Sequence, residues 1–343
     1  MALLTEPGFS SGKREELADL IALVDAKDTP FTSMAKKGSK PGNTQFRWQV
    51  DSLPTPKITG TVDGTDVSTY ENYTKDGGTT YRAELSNYIQ IFRRSVRVSP
   101  LTESIATVAG VKSELANNVA KGIQGIKRDM EATLCSNSGA QLDAGGSTPY
   151  LTRGLAKWTQ PIASKDATLA VPDAFCTPTA NRSTVGTASL TESVVQGVLT
   201  GIYSQTGQFK DYDCLCGTAL KRAFTNLVFT TPSSGSANTQ TAVRTFNRDA
   251  TTSAYISSVD VFEGDFGKIR LHPSHFLNFS AGAGDTFKGY VIPFNMVEVR
   301  YGGNVASVSE LTNNGGGEAR MIEAVAGLCV YNPLAFGVFD FTS

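Results

Sequence analysis

The stretch from Thr44 to Ser99 constrains the chain most, because it reads as two extended arms that leave a globular body and return to it. On the outward arm Phe46, Trp48 and Val50 alternate with Gln45, Arg47 and Gln49, the period-two pattern of a strand with one buried face. The return arm, Tyr81 to Val98, alternates in stretches: Ile89 and Ile91, then Val96 and Val98 against Ser95 and Arg97. Between the arms, Thr59 to Thr80 holds only Val62, Val67, Tyr70 and Tyr73 as large apolar groups. So few anchors cannot offset the conformational entropy of ordering that much backbone. Order in the tip must come from outside it, and a neighbouring copy of the chain is the simplest source. This pattern points to an assembly subunit rather than a free-standing enzyme.

The 343-residue chain has room for two cores, and 40% of its residues are hydrophobic. Lys plus Arg (31) nearly cancel Asp plus Glu (32), leaving a net charge of −1. That balance argues against a dedicated nucleic-acid binder and against an acidic solvating protein. No charged-then-apolar signal pattern opens the chain and no stretch approaches ~18 apolar residues, so synthesis in a cytoplasm and no membrane partner are expected. Five scattered cysteines (Cys135, Cys176, Cys214, Cys216, Cys329) fit reduced buried thiols better than a disulfide framework.

Along the chain, Leu17, Leu20, Ile21 and Val24 place a short amphipathic helix over Lys13–Ala26, which Thr29-Pro30 is expected to end. Ser99 and Pro100 suit the N-cap and first position of a long helix. Behind them Ile105, Val108, Val111, Leu115, Val119, Ile123, Ile126, Met130 and Leu134 form one apolar stripe, about 35 residues or ~50 Å of continuous helix. Ser189-Leu190-Thr191-Glu192 has the pattern of a capping box before a second amphipathic helix. A buried strand (Tyr212–Cys216), a helix (Thr218–Val228), a flexible loop (Ser234–Gln240) and a hairpin about Gly264-Asp265 follow. The last quarter is strand-like over Tyr290–Arg300, Ala319–Tyr331 and Leu334–Phe341.

Catalytic patterns are thin. His272-Pro273-Ser274-His275 offers two imidazoles, but Pro273 keeps them off one helical face, and Glu263 or Asp265 would have to complete a metal site. Surface or packing roles suit these histidines better. Cys214-x-Cys216 lacks the two-residue spacing of redox and zinc pairs. Gly8 to Arg14 resembles a phosphate loop only superficially, with too few residues between its glycines and no strand before it. Gly315–Gly317 reads as a hairpin turn. The acid-free run from Lys36, Lys37 and Lys40 to Arg47 could face phosphates or be a solvated arm. Arg93, Arg94 and Arg97 sit where the excursion rejoins the body and could hold the acidic tip, Asp63 and Asp66, of a neighbour. Ordinary surface charge accounts for them equally well.

The order of these features resembles the major capsid proteins of tailed bacteriophages, the Hong Kong 97 fold. Collinear stretches carry the resemblance: Asp28-Thr29-Pro30-Phe31, Trp48-Gln49-Val50-Asp51-Ser52-Leu53, Asn87-Tyr88-Ile89-Gln90-Ile91-Phe92, Lys112-Ser113-Glu114-Leu115-Ala116, Lys127-Arg128-Asp129-Met130-Glu131, Val259 to Gly267, and Tyr331-Asn332-Pro333 before a last strand. The resemblance implies an α+β chain. Its parts would be an N-terminal arm (1–43), an extended β-loop (44–99), a peripheral domain with a long spine helix (100–185) and an axial domain (186–304). Return strands of the peripheral domain (305–332) and a final axial strand (333–343) would follow. It further implies homo-hexamers and homo-pentamers closing into an icosahedral virion shell around double-stranded DNA, assembled in the host cytoplasm. Portal, scaffolding and decoration proteins would be further partners, with no cofactor and no catalysis. Trp48, Val62, Asp63, Asp66, Val67, Tyr70, Tyr73, Arg93 and Arg94 would make inter-subunit contacts, and Lys36, Lys37 and Lys40 would face DNA. No reactive Lys/Asn pair for cross-linking is identifiable, and no separate scaffolding segment is expected before the first helix. A tail-tube or decoration protein, or a metal-dependent hydrolase using His272 and His275, are the alternatives.

Overall fold

Pro30 begins a helix of its own, and the fold unrolls from there. The computed structural model describes residues 25, 27–54, 56–68, 70, 75–76, 79–80, 82–105, 113–184, 190–208, 210–227, 260–279, 284–303, 305–313 and 315–340. The helix expected over Lys13–Ala26, the Gly8–Arg14 motif and the Ser234–Gln240 loop fall outside them, apart from Asp25. In chain order the elements are α1 (Pro30–Met34), β1 (Lys36–Gly38), β2 (Gln45–Asp51), the two-residue strands β3 (Lys75–Asp76) and β4 (Thr79–Thr80), β5 (Arg82–Tyr88) and β6 (Gln90–Val98). Then come α2 (Pro100–Ser104), α3 (Glu114–Leu134), α4 (Leu155–Trp158), β7 (Arg182–Ser183), α5 (Glu192–Thr206), β8 (Lys210–Cys216) and α6 (Thr218–Leu227). Strands β9 (Val261–Gly264), β10 (Gly267–Pro273), β11 (Lys288–Ile292), β12 (Val297–Tyr301), β13 (Ser307–Leu311), β14 (Glu318–Val330) and β15 (Gly337–Asp340) complete the chain.

Two sheets carry two cores. In the first, the 13-residue β14 pairs with β6 on one edge, while β13 and then β12 occupy the other, and β1 adds to β12 in parallel. Because side chains alternate across a strand, Ile322 and Gly327 on β14 point to opposite faces. Ile322 meets α3: a Cβ on Gly122 would lie 2.3 Å from its Cδ1. Gly327 meets the β2–β5 hairpin, where the same test gives 2.6 Å to the Phe46 ring. The sheet is therefore sandwiched, with α3 on one face and the root of the excursion on the other. The second sheet runs β7-β15-β11-β8-β10-β9, with β8 and β10 parallel. Val195, Val198, Leu199 and Ile202 of α5, with Leu220 and Phe224 of α6, pack on Tyr212, Cys214, Ile269 and Phe339.

Several expectations change in the structure. The 35-residue helix does not run through: Ile105 is extended (φ −81, ψ 131), and Ser113 (φ −147, ψ 120) starts α3 afresh by accepting the Ala116 N–H at 3.2 Å. Among the described residues no sheet lies beneath α2 or Ile105, and Leu101 and Ile105 stay 70% and 58% exposed. Val108 and Val111 lie outside the described residues. At residue 30, proline takes the first helical position, where its fixed φ and missing N–H suit the turn. The capping box does not form, because Thr191 is the N-cap and Glu192 falls in the first turn. Pro293 divides the expected Tyr290–Arg300 strand into β11 and β12, which belong to different sheets. The passage between sheets thus comes earlier than position 304. Only Arg82–Tyr88 of the return arm pairs with β2; Gln90–Val98 joins the first sheet. The Gly264–Gly267 and Gly315–Gly317 turns close hairpins as expected.

Candidate assembly surfaces

The excursion has a rigid root. Along β2 and β5, Gln45 faces Tyr88 and Asp51 faces Arg82 in unbroken antiparallel register. Trp48 is 7% exposed, donates its Nε1–H to the Val330 carbonyl at 3.1 Å, and packs against Phe46 and Trp158 with ring centroids 5.7 and 5.6 Å away. Trp48 is therefore a core residue of its own chain, not an inter-subunit contact. Period-two alternation marks it as buried without saying against what. Asn87, fully buried, donates through Nδ2 to the Leu328 carbonyl (2.7 Å) and to Thr152 Oγ1 (3.1 Å), and its Oδ1 accepts the Arg153 N–H (2.8 Å). The hairpin is thereby pinned to β14 and to the segment before α4. The Arg47–Glu84 and Arg82–Asp51 pairs, both 3.0 Å, are about half exposed and add little.

Beyond Asp51 the chain leaves its own cover. Leu53, Ile58, Val62, Val67 and Tyr70 are 92, 99, 78, 68 and 87% exposed, and Asp63 and Asp66 are exposed beside them. Tyr73 lies outside the described residues. Leu53 and Ile58 escaped the sequence reading, although Pro54 and Pro56 between them signalled extended backbone that cannot fold back locally. Large apolar side chains scattered singly on a surface need no explanation. Here five lie along one strap, none covered by the described residues of the chain.

The arginines at the junction are already engaged. Arg93 pairs with Glu323 across the β6–β14 ladder through two hydrogen bonds of 2.9 and 2.6 Å. Arg94, on the opposite face, grips Asp129 of α3 through two bonds of 2.7 Å, and that hydrogen bonding raises its pKa further. Both were expected to receive a neighbour's acidic tip; within the chain each is already paired with a carboxylate and stays about half exposed. Arg97 is exposed and makes no ion pair among the described residues. Of the basic run, Lys36 donates to the Asn295 carbonyl at 3.2 Å, and Lys37 lies 5.8 Å from the Tyr301 ring centroid. Lys40 is exposed and makes no ion pair among the described residues.

A carboxylate clamp holds the end of the N-terminal arm, just before β1. Glu131 of α3 is fully buried, and its two carboxylate oxygens accept the Phe31 and Thr32 N–H groups at 2.8 Å each. These are orphan donors at the start of α1, and Phe31 is itself fully buried. Burial raises the Glu131 carboxyl above the usual carboxylate range, against the lowering pull of those two donors.

The candidate catalytic groups are placed as follows. His272 Nε2 lies 2.9 Å from Asp213 Oδ1, and His275 stacks edge-on against Phe276 and Phe279. Among the described residues no three His, Cys, Asp or Glu side chains are grouped to hold a metal. All five cysteines are buried and free, and burial pushes Cys216 and Cys329 up to about 12, far from a reactive thiolate. Among the described residues no helix is long and apolar enough to cross a membrane.

Comparison with known proteins matches this arrangement. The major capsid protein of Escherichia phage Phieco32 is 35% identical over 126 residues, 37% of this chain, so the match spans about a third (34%) of that relative's length. The capsid asymmetric unit of Cyanophage A-1(L) superposes with a TM-score of 0.63 at 10% identity, covering 99% of each chain. A solved chain of Mycobacterium phage Bobi gives 0.58 at 12% identity with both chains fully covered. The capsid of Cyanophage P-SCSP1u gives 0.56 at 12%, covering 96% of this chain and 93% of its own. At such identities the likeness is one of fold, the Hong Kong 97-like fold of phage capsid proteins. The family model of the SU10 major capsid protein matches residues 5–342, so this chain belongs to the SU10 major capsid protein family.

Proposed function

We propose that the chain is the repeating subunit of a phage head, forming homo-hexamers and homo-pentamers that close into an icosahedral shell around double-stranded DNA. Its family is one of structural capsid proteins, not of enzymes. The observation that carries the reading is the strap of exposed apolar residues from Leu53 to Tyr70 on a root locked by Trp48 and Asn87. A rigid root aims the strap away from its own chain, and a neighbouring copy supplies the cover that its own chain lacks. In this reading Val62, Val67 and Tyr70 contact the next subunit, with Asp63 and Asp66 setting register. Lys36, Lys37 and Lys40 lie toward DNA. Portal, scaffolding and decoration proteins are further partners, and assembly takes place in the host cytoplasm.

Negative-stain microscopy with sedimentation, on the intact chain and on a deletion of residues 60–79, tests this. The intact chain is expected to give shells or capsomer rings, with scaffold supplied where needed, and the deletion a folded monomer. Intact shells from the deletion would sink the reading.

A further inference from the structure

The sheet sandwich separates two surfaces that the capsid reading leaves undistinguished. The excursion leaves from the face of the first sheet that bears Phe46, and α3 covers the other. On the α3 side lies a cleft of about 600 Å³ between α3, residues 25–29 and the Phe276–Phe279 turn. Five cations line it, Lys27, Arg94, Lys121, Lys127 and Arg128, against two carboxylates, Asp25 and Asp129. Both carboxylates are taken: Asp129 by Arg94, and Asp25 by Arg128 at 3.4 Å. Lys27, Lys121 and Lys127 are exposed and make no ion pair among the described residues.

The cleft is built rather than incidental. Arg94 reaches Asp129 only by crossing α3 at Gly125, where a Cβ would stand 2.9 Å from its Nε. Glycine within a helix costs about 0.5–1 kcal/mol relative to alanine, so the crossing is retained at a cost. Arg128 lies over the face of the buried Phe276 ring, 5.6 Å from its centroid, which fixes its guanidinium at the wall. Three free ammonium groups around a cleft whose carboxylates are already neutralised attract a polyanion.

From this we infer that the α3 cleft is a contact for the phosphate backbone of packaged DNA. The inference rests on the capsid reading. A neighbour's acidic strap is the competing occupant, but in a shell one subunit thick the straps run on the Phe46 face. The α3 cleft therefore looks to the other side of the shell. Lys121 and Lys127, not the arm lysines Lys36, Lys37 and Lys40, are then the main phosphate contacts.

The test is fluorescence anisotropy of a short labelled DNA duplex against the full chain as capsomers, over a series of salt concentrations. K121Q/K127Q is compared with K36Q/K37Q/K40Q, and shells are scored by microscopy in the same preparations. The α3 pair is expected to weaken binding and to flatten the slope of log K against log salt by about 2, near 0.9 for each phosphate no longer neutralised, with shells unchanged. An unchanged slope, a loss confined to the Lys36–Lys40 variant, or no duplex binding by the intact chain overturns the inference while leaving the shells, and so the capsid reading, standing. Loss of shells by K121Q/K127Q with duplex binding intact overturns it too, and assigns the cleft to a second copy of the chain. Failure of the intact chain to assemble, even with scaffold, instead counts against the capsid reading itself.

Discussion

Glu131→Ala should release the N-terminal arm between residue 27 and β1 while leaving both sheets folded. A buried N–H on Phe31 and a part-buried one on Thr32 lose their acceptor, and an orphaned buried donor costs about 1–3 kcal/mol. The arm has little else to hold it: the Phe31 ring, three residues of β1 on β12, and local turns. A loss of about 2–6 kcal/mol is therefore enough to free it before the body unfolds. The carboxylate itself is not a large net stabiliser, because burial disfavours its charge more than the two donors favour it. Its pKa is thus higher folded than unfolded, so its contribution is fullest below the unfolded carboxylate value and fades as pH rises through the folded one. Glu131→Gln, which keeps one acceptor and no charge, should lose that pH dependence, so the stability gap between it and the parent widens as pH falls. Amide hydrogen exchange at Phe31 and Thr32, followed with pH, reads both effects. Unchanged protection in the alanine variant, or a gap that narrows on acidification, would refute the reasoning.

Trp48→Ala should cost about 3–5 kcal/mol of global stability, as large-to-small changes in a packed core do, whereas Trp48→Phe should cost less; urea unfolding of the monomer reads both, and a near-neutral alanine would return Trp48 to the surface. Gly317→Ala should destabilise the β13–β14 hairpin, because φ is +107° there and a Cβ would lie 2.1 Å from the Val98 carbonyl oxygen; a thermal midpoint equal to that of the parent would count against it. Val62→Ser with Tyr70→Ser should leave unfolding unchanged, since both side chains already face solvent, and yet weaken assembly by about 2–5 kcal/mol per interface if a neighbour buries them. Sedimentation and calorimetry on the same sample separate the two effects, and a fall in monomer stability would show that the strap is covered by its own chain.

Local pattern made much of the fold legible. Alternation at Phe46, Trp48 and Val50 located β2, and the turn residues at Gly264 and Gly315–Gly317 located two hairpins. These signals are carried by neighbours in sequence. What stayed hidden depends on partners far along the chain. Arg93 and Arg94 looked like free cations because Glu323 and Asp129 lie 230 and 35 residues away. Trp48 looked like a contact residue because its acceptor is the carbonyl of Val330, 282 residues on. The helical stripe looked continuous because periodicity registers which face is apolar, not whether a sheet lies under it. Ile322 and its neighbours cover α3, and no described element covers Leu101.

The same reasoning explains why the strap was legible when the arginine pairs were not. A buried partner can always be supplied by a distant part of the chain, so an apparently free charge says little from sequence. A shortage of apolar anchors cannot be supplied that way without a surface to receive them. The first sheet is covered on both faces, by α3 and the β2–β5 hairpin, and the second is covered by α5 and α6 on the face bearing Tyr212 and Ile269. The strap springs from the far end of the hairpin, at the Asp51–Arg82 pair, beyond the reach of either core. Among the described residues nothing covers its apolar side chains, and on the proposed reading self-association covers every copy at once. On that reading a strap and its receptor on different parts of one subunit make a head-to-tail contact, and head-to-tail contacts end in rings or in open filaments.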